Sequence, residues 1–252
     1  SSAGSLHAQR VAPDPRVIAP AFDAYVAKAV KDWNAPGLAI AVVKDGKVVF
    51  AKGYGVRELG KAAKIDTSTL FAIASTTKAM TAASMVMRGL EGKVKWDDPV
   101  TKYLPSFQLY DPWATRELTV RDLLTHRSGL GNTDYLWAVA DLPADSMMEK
   151  LRLVKPEYSI RSSFIYQNVM YVMAGQVIAA ASGMPWAKFV QTRIFDPIGM
   201  RSTVPSVSLV KPGDNAASPH YRYGGDTIAV IGRDVAQAIG PAGDVWSNVA
   251  DM

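Results

Sequence analysis

The chain has 252 residues, 48% of them hydrophobic and 20% charged, with a formal net charge of +5. That length and apolar content supply a real core and exclude a disordered polymer, while the absence of cysteine excludes a disulfide framework and a thiolate nucleophile. The basic residues are scattered rather than clustered, which gives no footprint for nucleic acid; His7, His126 and His220 lie far apart without zinc-ligand spacing, and no run approaches the roughly 18 apolar residues of a membrane helix.

Residues 1–20 carry Pro13, Pro15 and Pro20 and are expected to form an extended leader. Phe22, Tyr25, Val26, Ala29, Val30 and Trp33 recur at helical spacing, and Pro36-Gly37 ends that helix. Two apolar runs, 38–43 and 48–51, flank Asp45-Gly46, which predicts a β-hairpin. Gly53 and Gly55 are expected to relax its second strand into loop. Residues 75–90 predict a helix that is apolar almost all round and therefore centrally buried. Thr119 to Leu124 predicts a short helix, with Thr119 as cap and Asp122 in the third position of a capping box. Helices follow over 143–154, 168–181 and 185–195; Pro185 opens the last and Asp196-Pro197 closes it. Residues 203–226 are expected to be loops, and 227–231 a brief β-branched run. A hairpin apolar on both strands cannot stand alone. Ser247 or Asn248 followed by Asp251 has the look of a helix being started. Both features raise the expectation of further sequence after Met252.

The chemistry concentrates in Ser75-Thr76-Thr77-Lys78. Three apart at a helix start, Ser75 and Lys78 share a face. Serine needs a neighbouring base to act as a nucleophile, and a desolvated lysine can serve. The helix N-terminus offers N–H groups to a developing oxyanion. Read alone, the pattern also fits an N-cap serine with a solvated lysine. A second match, Ser208 to Lys211, runs straight into Pro212-Gly213 and is attributed to chance. Tyr166 and Asn168 are two apart, so in extended structure both face one side. Tyrosine could relay a proton and asparagine could hydrogen-bond Lys78 and a substrate carbonyl. A core tyrosine and a helix-capping asparagine are the bland alternatives.

Together these segments resemble the serine β-lactamase-like hydrolases, a family that includes class C β-lactamases, penicillin-binding DD-peptidases, D-aminopeptidases and related esterases. The likeness runs through Leu70 to Lys78, Leu90 to Val100, Leu118 to Leu130, Phe164 to Asn168, Pro185-Trp186, Ile194 to Met200 and Pro241-Ala242-Gly243, in order. It implies an α/β (α+β) fold: an antiparallel sheet flanked by helices plus a mainly helical domain. The first part of the α/β domain would occupy 21–80, the helical domain 81–225, and a return to the sheet 226–252, with the sheet incomplete. The resemblance makes Ser75 the acyl-forming nucleophile, Lys78 its base and Tyr166 the proton relay. Asn168 would orient lysine and substrate. His126, Ser128 and Gly129 would be structural neighbours, with His126 holding the Ser128-Gly129 turn. It implies no cofactor and no metal, a small-molecule or peptide ester or amide as substrate, and a periplasmic or secreted setting.

Three departures stand out. Gln167 occupies the middle of the tyrosine motif, which is tolerable if its side chain faces away from the cleft. Asp244 follows Gly243 where the family often has glycine. The family's third motif has no match in the right place, since Lys44-Asp45-Gly46 and Lys211-Pro212-Gly213 lie elsewhere. By analogy, the strand that bears it would come from a second fragment or chain. An esterase or a D-amino-acid or peptide hydrolase is the expected activity, ahead of a dedicated β-lactamase. The alternative is a catalytically inactive binding or scaffolding protein on the same fold.

Overall fold

The structure, a computed structural model, describes residues 15–225, 227–233 and 239–252. Expectations for residues 1–14 lie outside the described residues. Helix α1 (Pro15–Asp32) begins inside the stretch expected to be extended and carries Pro20 in its interior. Proline removes one backbone hydrogen bond there. Packing against the hairpin compensates, with Val26 buried and Phe22 edge-on to Phe50 at 5.2 Å.

Strands β1 (Gly37–Lys44) and β2 (Lys47–Gly55) form the expected antiparallel hairpin, with Lys44 opposite Lys47 and a bulge at Val42/Val43. Asp45 and Gly46 both have positive φ, 51° and 72°, as a tight hairpin turn demands. Strand β2 continues to Gly55 instead of fading at Gly53. The glycine marks a close approach: a Cβ on Gly53 would lie 2.3 Å from the Ile65 carbonyl oxygen. Strand β3 (Phe71–Ala72) leads through a 3₁₀ turn at Ala74–Thr76 into α2 (Thr77–Leu90).

Helix α2 overturns the expectation of an all-apolar buried helix. Its buried face is mostly polar: Thr77, Lys78, Thr81, Ser84 and Arg88, with Met85. Ala79, Ala83 and Val86 are exposed, and Leu90 is 85% exposed. The polar face is buried because its side chains find partners: Ser84 donates to Met80 O and Arg88 to Ala181 O and Glu91, and the other three bond to the elements around Ser75.

The middle of the chain is helical: α3 (Pro112–Glu117), α4 (Tyr135–Ala138), α5 (Ala144–Leu151), α6 (Asn168–Ser182) and α7 (Trp186–Val190). Helix α6 is the core of this region. Its residues from Val169 to Gly175 are all buried, and Gly183 ends it in the left-handed conformation at φ 73°. Helix α7 widens into a π-helical stretch over Gln191–Phe195 and then α8 (Asp196–Ile198), so Asp196-Pro197 does not close it. Pro197 sits in the first turn of α8, where its missing N–H costs nothing. The turn at Thr119 is a 3₁₀ helix over Arg121–Leu124, not a Thr-capped one. Here the Asp122 carboxylate accepts both the N–H and the hydroxyl of Thr119, at 2.9 and 2.7 Å.

Residues 203–226 are not all loop. Strand β4 (His220–Gly224) pairs with β5 (Thr227–Val230). Helix α9 (Gly240–Gly243) and β6 (Trp246–Ser247) follow, and β6 pairs with β3. The architecture is thus α/β, with antiparallel strand pairs flanked by helices and a sheet that is not closed. At the end, Asn248 Oδ1 accepts the N–H groups of Ala250 and Asp251 in a turn.

Glycine at position 175 lets α9 lie directly on α6, since a Cβ there would stand 2.2 Å from Pro241 Cγ. Replacing Gly175 with Ala should destabilise the fold by about 1–3 kcal/mol, read as a lower urea midpoint. An unchanged midpoint would show that α6 and α9 are not in this contact.

Candidate active site

Ser75 lies in the 3₁₀ turn that feeds α2, one residue after Ala74, whose φ is 44°. One helical turn on, Lys78 Nζ stands 3.1 Å from Ser75 Oγ. Tyr166 Oη donates to the same Oγ at 2.7 Å. Asn168 opens α6, and its Oδ1 accepts from Lys78 Nζ at 2.8 Å. Four residues picked from the sequence therefore converge on one point. Asn168 does not cap α6: the cap position is Gln167, and the Asn168 amide serves Lys78.

A third partner of Lys78 carried no sequence signal of its own. The carbonyl oxygen of Ala242 lies 2.8 Å from Nζ. That carbonyl is presented by α9, and α2 holds α9 with its polar face. Thr81 Oγ1 donates to Pro241 O at 2.6 Å, and Thr77 Oγ1 accepts the N–H of Val245 at 3.2 Å. Burial pulls the Lys78 pKa below the ordinary lysine value, opposed by the Tyr166 hydroxyl and the Asp134 charge. The ammonium also sits over the Tyr166 ring, 4.7 Å from its centroid, and 5.2 Å from that of Tyr171.

Gln167 explains how Tyr166 is aimed. Its side chain is 1% exposed and turned away from the cleft. Oε1 accepts from Thr133 Oγ1 at 2.7 Å, and Nε2 donates to the carbonyls of Leu130 and Gly131. Its backbone N–H donates to His126 Nδ1 at 3.0 Å. The imidazole of His126 stacks on the Tyr166 ring with centroids 4.4 Å apart. His126 thus reaches the tyrosine segment; the carbonyl of Gly129 is held instead by the N–H groups of Glu157 and Tyr158. Burial, then the charge of Lys78, pushes the His126 pKa down. Ser128 is buried in that turn, its Oγ 3.5 Å from Leu130 N, and does not join Ser75.

Ser208 Oγ, from the second Ser-x-x-Lys match, sits 3.0 Å from Ser206 Oγ. Asp244 is buried beyond Gly243; burial raises its pKa, and Oδ1 accepts the Val207 N–H at 3.1 Å. In front of Ser75 opens a cleft of about 1290 Å³, walled by Asn168, Trp137, Ala242 and Gly243, with Asp141 and Arg233 as charged members. Among the described residues no cluster of potential metal ligands occurs, and no helix is long and apolar enough to cross a membrane. The arrangement supplies a hydroxyl at a helix start, an amine and a phenol on either side of it, and an open approach. Such a set suits proton transfer to and from an attacking serine.

The Beta-lactamase family model matches residues 22–252, and the chain belongs to that family, within the β-lactamase and penicillin-binding-protein superfamily of serine hydrolases. Among curated proteins, it is 34% identical over 191 residues to an unguisins hydrolase of Aspergillus violaceofuscus, covering 72% of this chain and 34% of that protein. Among solved structures, it resembles the octameric penicillin-binding protein homologue of Pyrococcus abyssi, with a TM-score of 0.78, 25% identity, and coverage of 92% of this chain and 54% of that one. It also resembles the D-alanine carboxypeptidase AmpC of Burkholderia cenocepacia, with a TM-score of 0.71, 28% identity, and coverage of 90% and 59%. The chain therefore spans well under two thirds of these relatives.

The segment carrying Tyr166 is tied down by Asp122, which accepts from Arg161 Nε at 3.1 Å and from an Arg161 terminal nitrogen at 2.7 Å. Burial would raise the Asp122 pKa, but the bonds from Arg161 and Thr119 outweigh it and hold the carboxyl below its ordinary value. A depressed folded pKa stabilises above the unfolded value near 3.9 and is lost as pH falls through the folded one. Asp122→Ala should cost about 2–3 kcal/mol at neutral pH, and its cost should shrink below about pH 4. Urea unfolding at pH 7 and pH 3 checks this; an equal cost at both would contradict it.

Proposed function

We propose that the chain carries the acylating centre of a serine hydrolase that cleaves an ester or amide bond through an acyl-Ser75 intermediate. The observation that carries this reading is the bracketing of Ser75 Oγ by Lys78 Nζ at 3.1 Å and Tyr166 Oη at 2.7 Å. A neutral lysine amine has two N–H donors and one lone pair. Asn168 Oδ1 and Ala242 O occupy the donors, so the lone pair is left for the Ser75 hydroxyl. Lys78 takes the Ser75 proton as Oγ bonds to the carbonyl carbon. Charge then builds on the carbonyl oxygen, and the Ser75 N–H at the head of the helix supplies one donor to it. The bond to the leaving alcohol or amine breaks; Tyr166 hands that group a proton and recovers one from the Lys78 ammonium. Water attacks the acyl carbon by the reverse relay, releasing the acid and Ser75.

A relative named a hydrolase supports hydrolysis, and one described as a D-alanine carboxypeptidase supports peptide or D-amino-acid substrates. A periplasmic or secreted setting accords with likeness to proteins named for penicillin binding. A fluorophosphonate or penicillin probe should add covalent mass at Ser75 and none in Ser75→Ala. Lys78→Ala should slow labelling by about 10²–10⁴-fold. The wild-type rate should rise with pH along a limb below the ordinary lysine value of 10.5. Folded protein that neither probe labels and that hydrolyses no ester would favour the binding or scaffolding alternative.

The hairpin and α2 also present exposed apolar surface. Val43 and Val48 on the hairpin are 63% and 64% exposed, and the outer face of α2 is exposed as well. We propose that further strands lie over this surface and complete the wall of the cleft. A polypeptide of these 252 residues alone should then label far more slowly than one that carries the further strands. Full labelling by the 252-residue chain alone would refute this.

A further inference from the structure

Asp134 entered no sequence motif, yet it stands behind the residue that holds Lys78. Its Oδ1 accepts from Asn168 Nδ2 at 3.0 Å and from Trp137 Nε1 at 2.8 Å. Its own N–H is fixed to Asn132 Oδ1 at 2.8 Å. The two ends of an amide are nearly equal in size, so its orientation is decided by its partners. An ionised carboxylate only accepts hydrogen bonds. Facing Asp134, the Asn168 amide must present its nitrogen, which leaves its oxygen towards Lys78. In the flipped orientation an NH₂ group would meet the lysine, and the amine would turn its lone pair to Asn168 instead of Ser75.

We propose that Asp134 is a positioning residue: it locks the Asn168 amide with its oxygen on Lys78, and so aims the lysine at Ser75. This rests on the acyl-serine reading of the site. Trp137, the other donor to Asp134, lines the cleft, so the same carboxylate couples the cleft wall to the lysine. Other ionisable groups around Lys78 are Tyr166 and Tyr171, whose rings lie under the ammonium, and His126, stacked on Tyr166. None of these contacts the Asn168 amide in the way Asp134 does, with an acceptor that cannot donate. The negative charge of Asp134 also favours the ammonium form of Lys78. Removing the charge while keeping the acceptor separates the two effects.

The variants are Asp134→Asn, Asp134→Ala and Asn168→Ala, with the double variant Asp134→Ala/Asn168→Ala. The first readout is the pH profile of Ser75 labelling by fluorophosphonate, with thermal unfolding to establish that each variant is folded. Asp134→Ala should slow labelling about tenfold to a hundredfold. Asp134→Asn keeps an oxygen for Asn168 and Trp137, so it should stay within a few-fold of wild type, with its rising limb moved to lower pH. In the Asn168→Ala background, Asp134→Ala should add almost nothing to the plateau rate and only move the rising limb to lower pH, because its positioning effect passes through Asn168. The proposal is overturned if Asp134→Ala labels like wild type, if Asp134→Asn is as slow as Asp134→Ala, or if the double variant loses the full product of the single effects.

A second readout does not need Ser75 to react. Trace acetylation of Lys78 by acetic anhydride, followed across pH by peptide mass spectrometry, reports when the lysine loses its proton. Its midpoint should fall in Asp134→Asn, and an unmoved midpoint counts against the charge of Asp134 reaching Lys78. Wild-type protein that resists fluorophosphonate would sink the hydrolase reading, and the acetylation midpoints would then decide the Asp134 claim by themselves.

Discussion

Lys78 Nζ is where three remote parts of the chain are tied together. Its bonds reach Asn168, 90 residues on, and Ala242, 164 residues on, while Ser75 is its neighbour on the same turn. A lysine withdrawn from water is costly unless its N–H groups find acceptors. Each bond that removes this cost also fixes a position in the site. The start of α6 must bring an amide oxygen to Nζ, and α9 must bring a carbonyl. Thr77 and Thr81, on the same face of α2, secure α9 from either side of that carbonyl. Gly175 lets α9 come close enough to α6 for both bonds to form. Moving any one of these elements would leave Lys78 with an unfilled donor inside the protein.

Tyr166 presents the opposite problem, since it is 43% exposed and must still hold its hydroxyl on Ser75. Rigidity is delivered through the backbone of the next residue. Gln167 has its N–H, its amide oxygen and its amide nitrogen all engaged, and it is buried. A satisfied buried polar network specifies one geometry, because any shift leaves a group unpaired. His126 joins that network through Nδ1 and adds a stacked ring behind the tyrosine. The Asp122–Arg161 pair secures the approach to the segment. An aimed tyrosine is thus built from residues that make no bond to Ser75 themselves.

Ser75, Lys78, Tyr166 and Asn168 were legible because each is a side chain of distinctive chemistry at a characteristic spacing. The hairpin turn was legible because Asp-Gly tolerates positive φ. Other parts were not, for identifiable reasons. The Ala242 carbonyl is a backbone group, and every residue has one. Asp134 is one acidic residue among 23, and only the fold brings it to Asn168. The composition of α2 misleads because alanine and methionine are its commonest residues, while its buried side is chosen largely by hydrogen-bond partners 90 or more residues away. Strand β4 was read as loop because its Tyr-, Arg- and Gly-containing run lacks alternation, and pairing with β5 supplies what its own pattern does not. Gln167 departs from the family's usual residue, and the departure is absorbed because its side chain leaves the cleft.

The inversion of α2 bears on how the site keeps its shape. In an ordinary amphipathic helix the apolar stripe supplies the burial energy and the polar face meets water. Here the buried stripe is mostly polar and hydrogen-bonded, and apolar residues such as Val86 and Leu90 face outward. Hydrogen bonds made on folding contribute only about 0.5–1.5 kcal/mol each, whereas leaving one partner unpaired costs more. The polar face therefore adds modest net stability but strongly disfavours any other register of α2 against α6 and α9. The apolar core that pays for folding is supplied mainly elsewhere, by α5, α6 and α7 around Met170, Met173 and Phe189. Ser75 and Lys78 ride on a helix whose position is set by directional bonds, next to a helical core that gives the stability. A separation of that kind lets the cleft in front of Ser75 stay open while the buried side of α2 holds Lys78 in one arrangement.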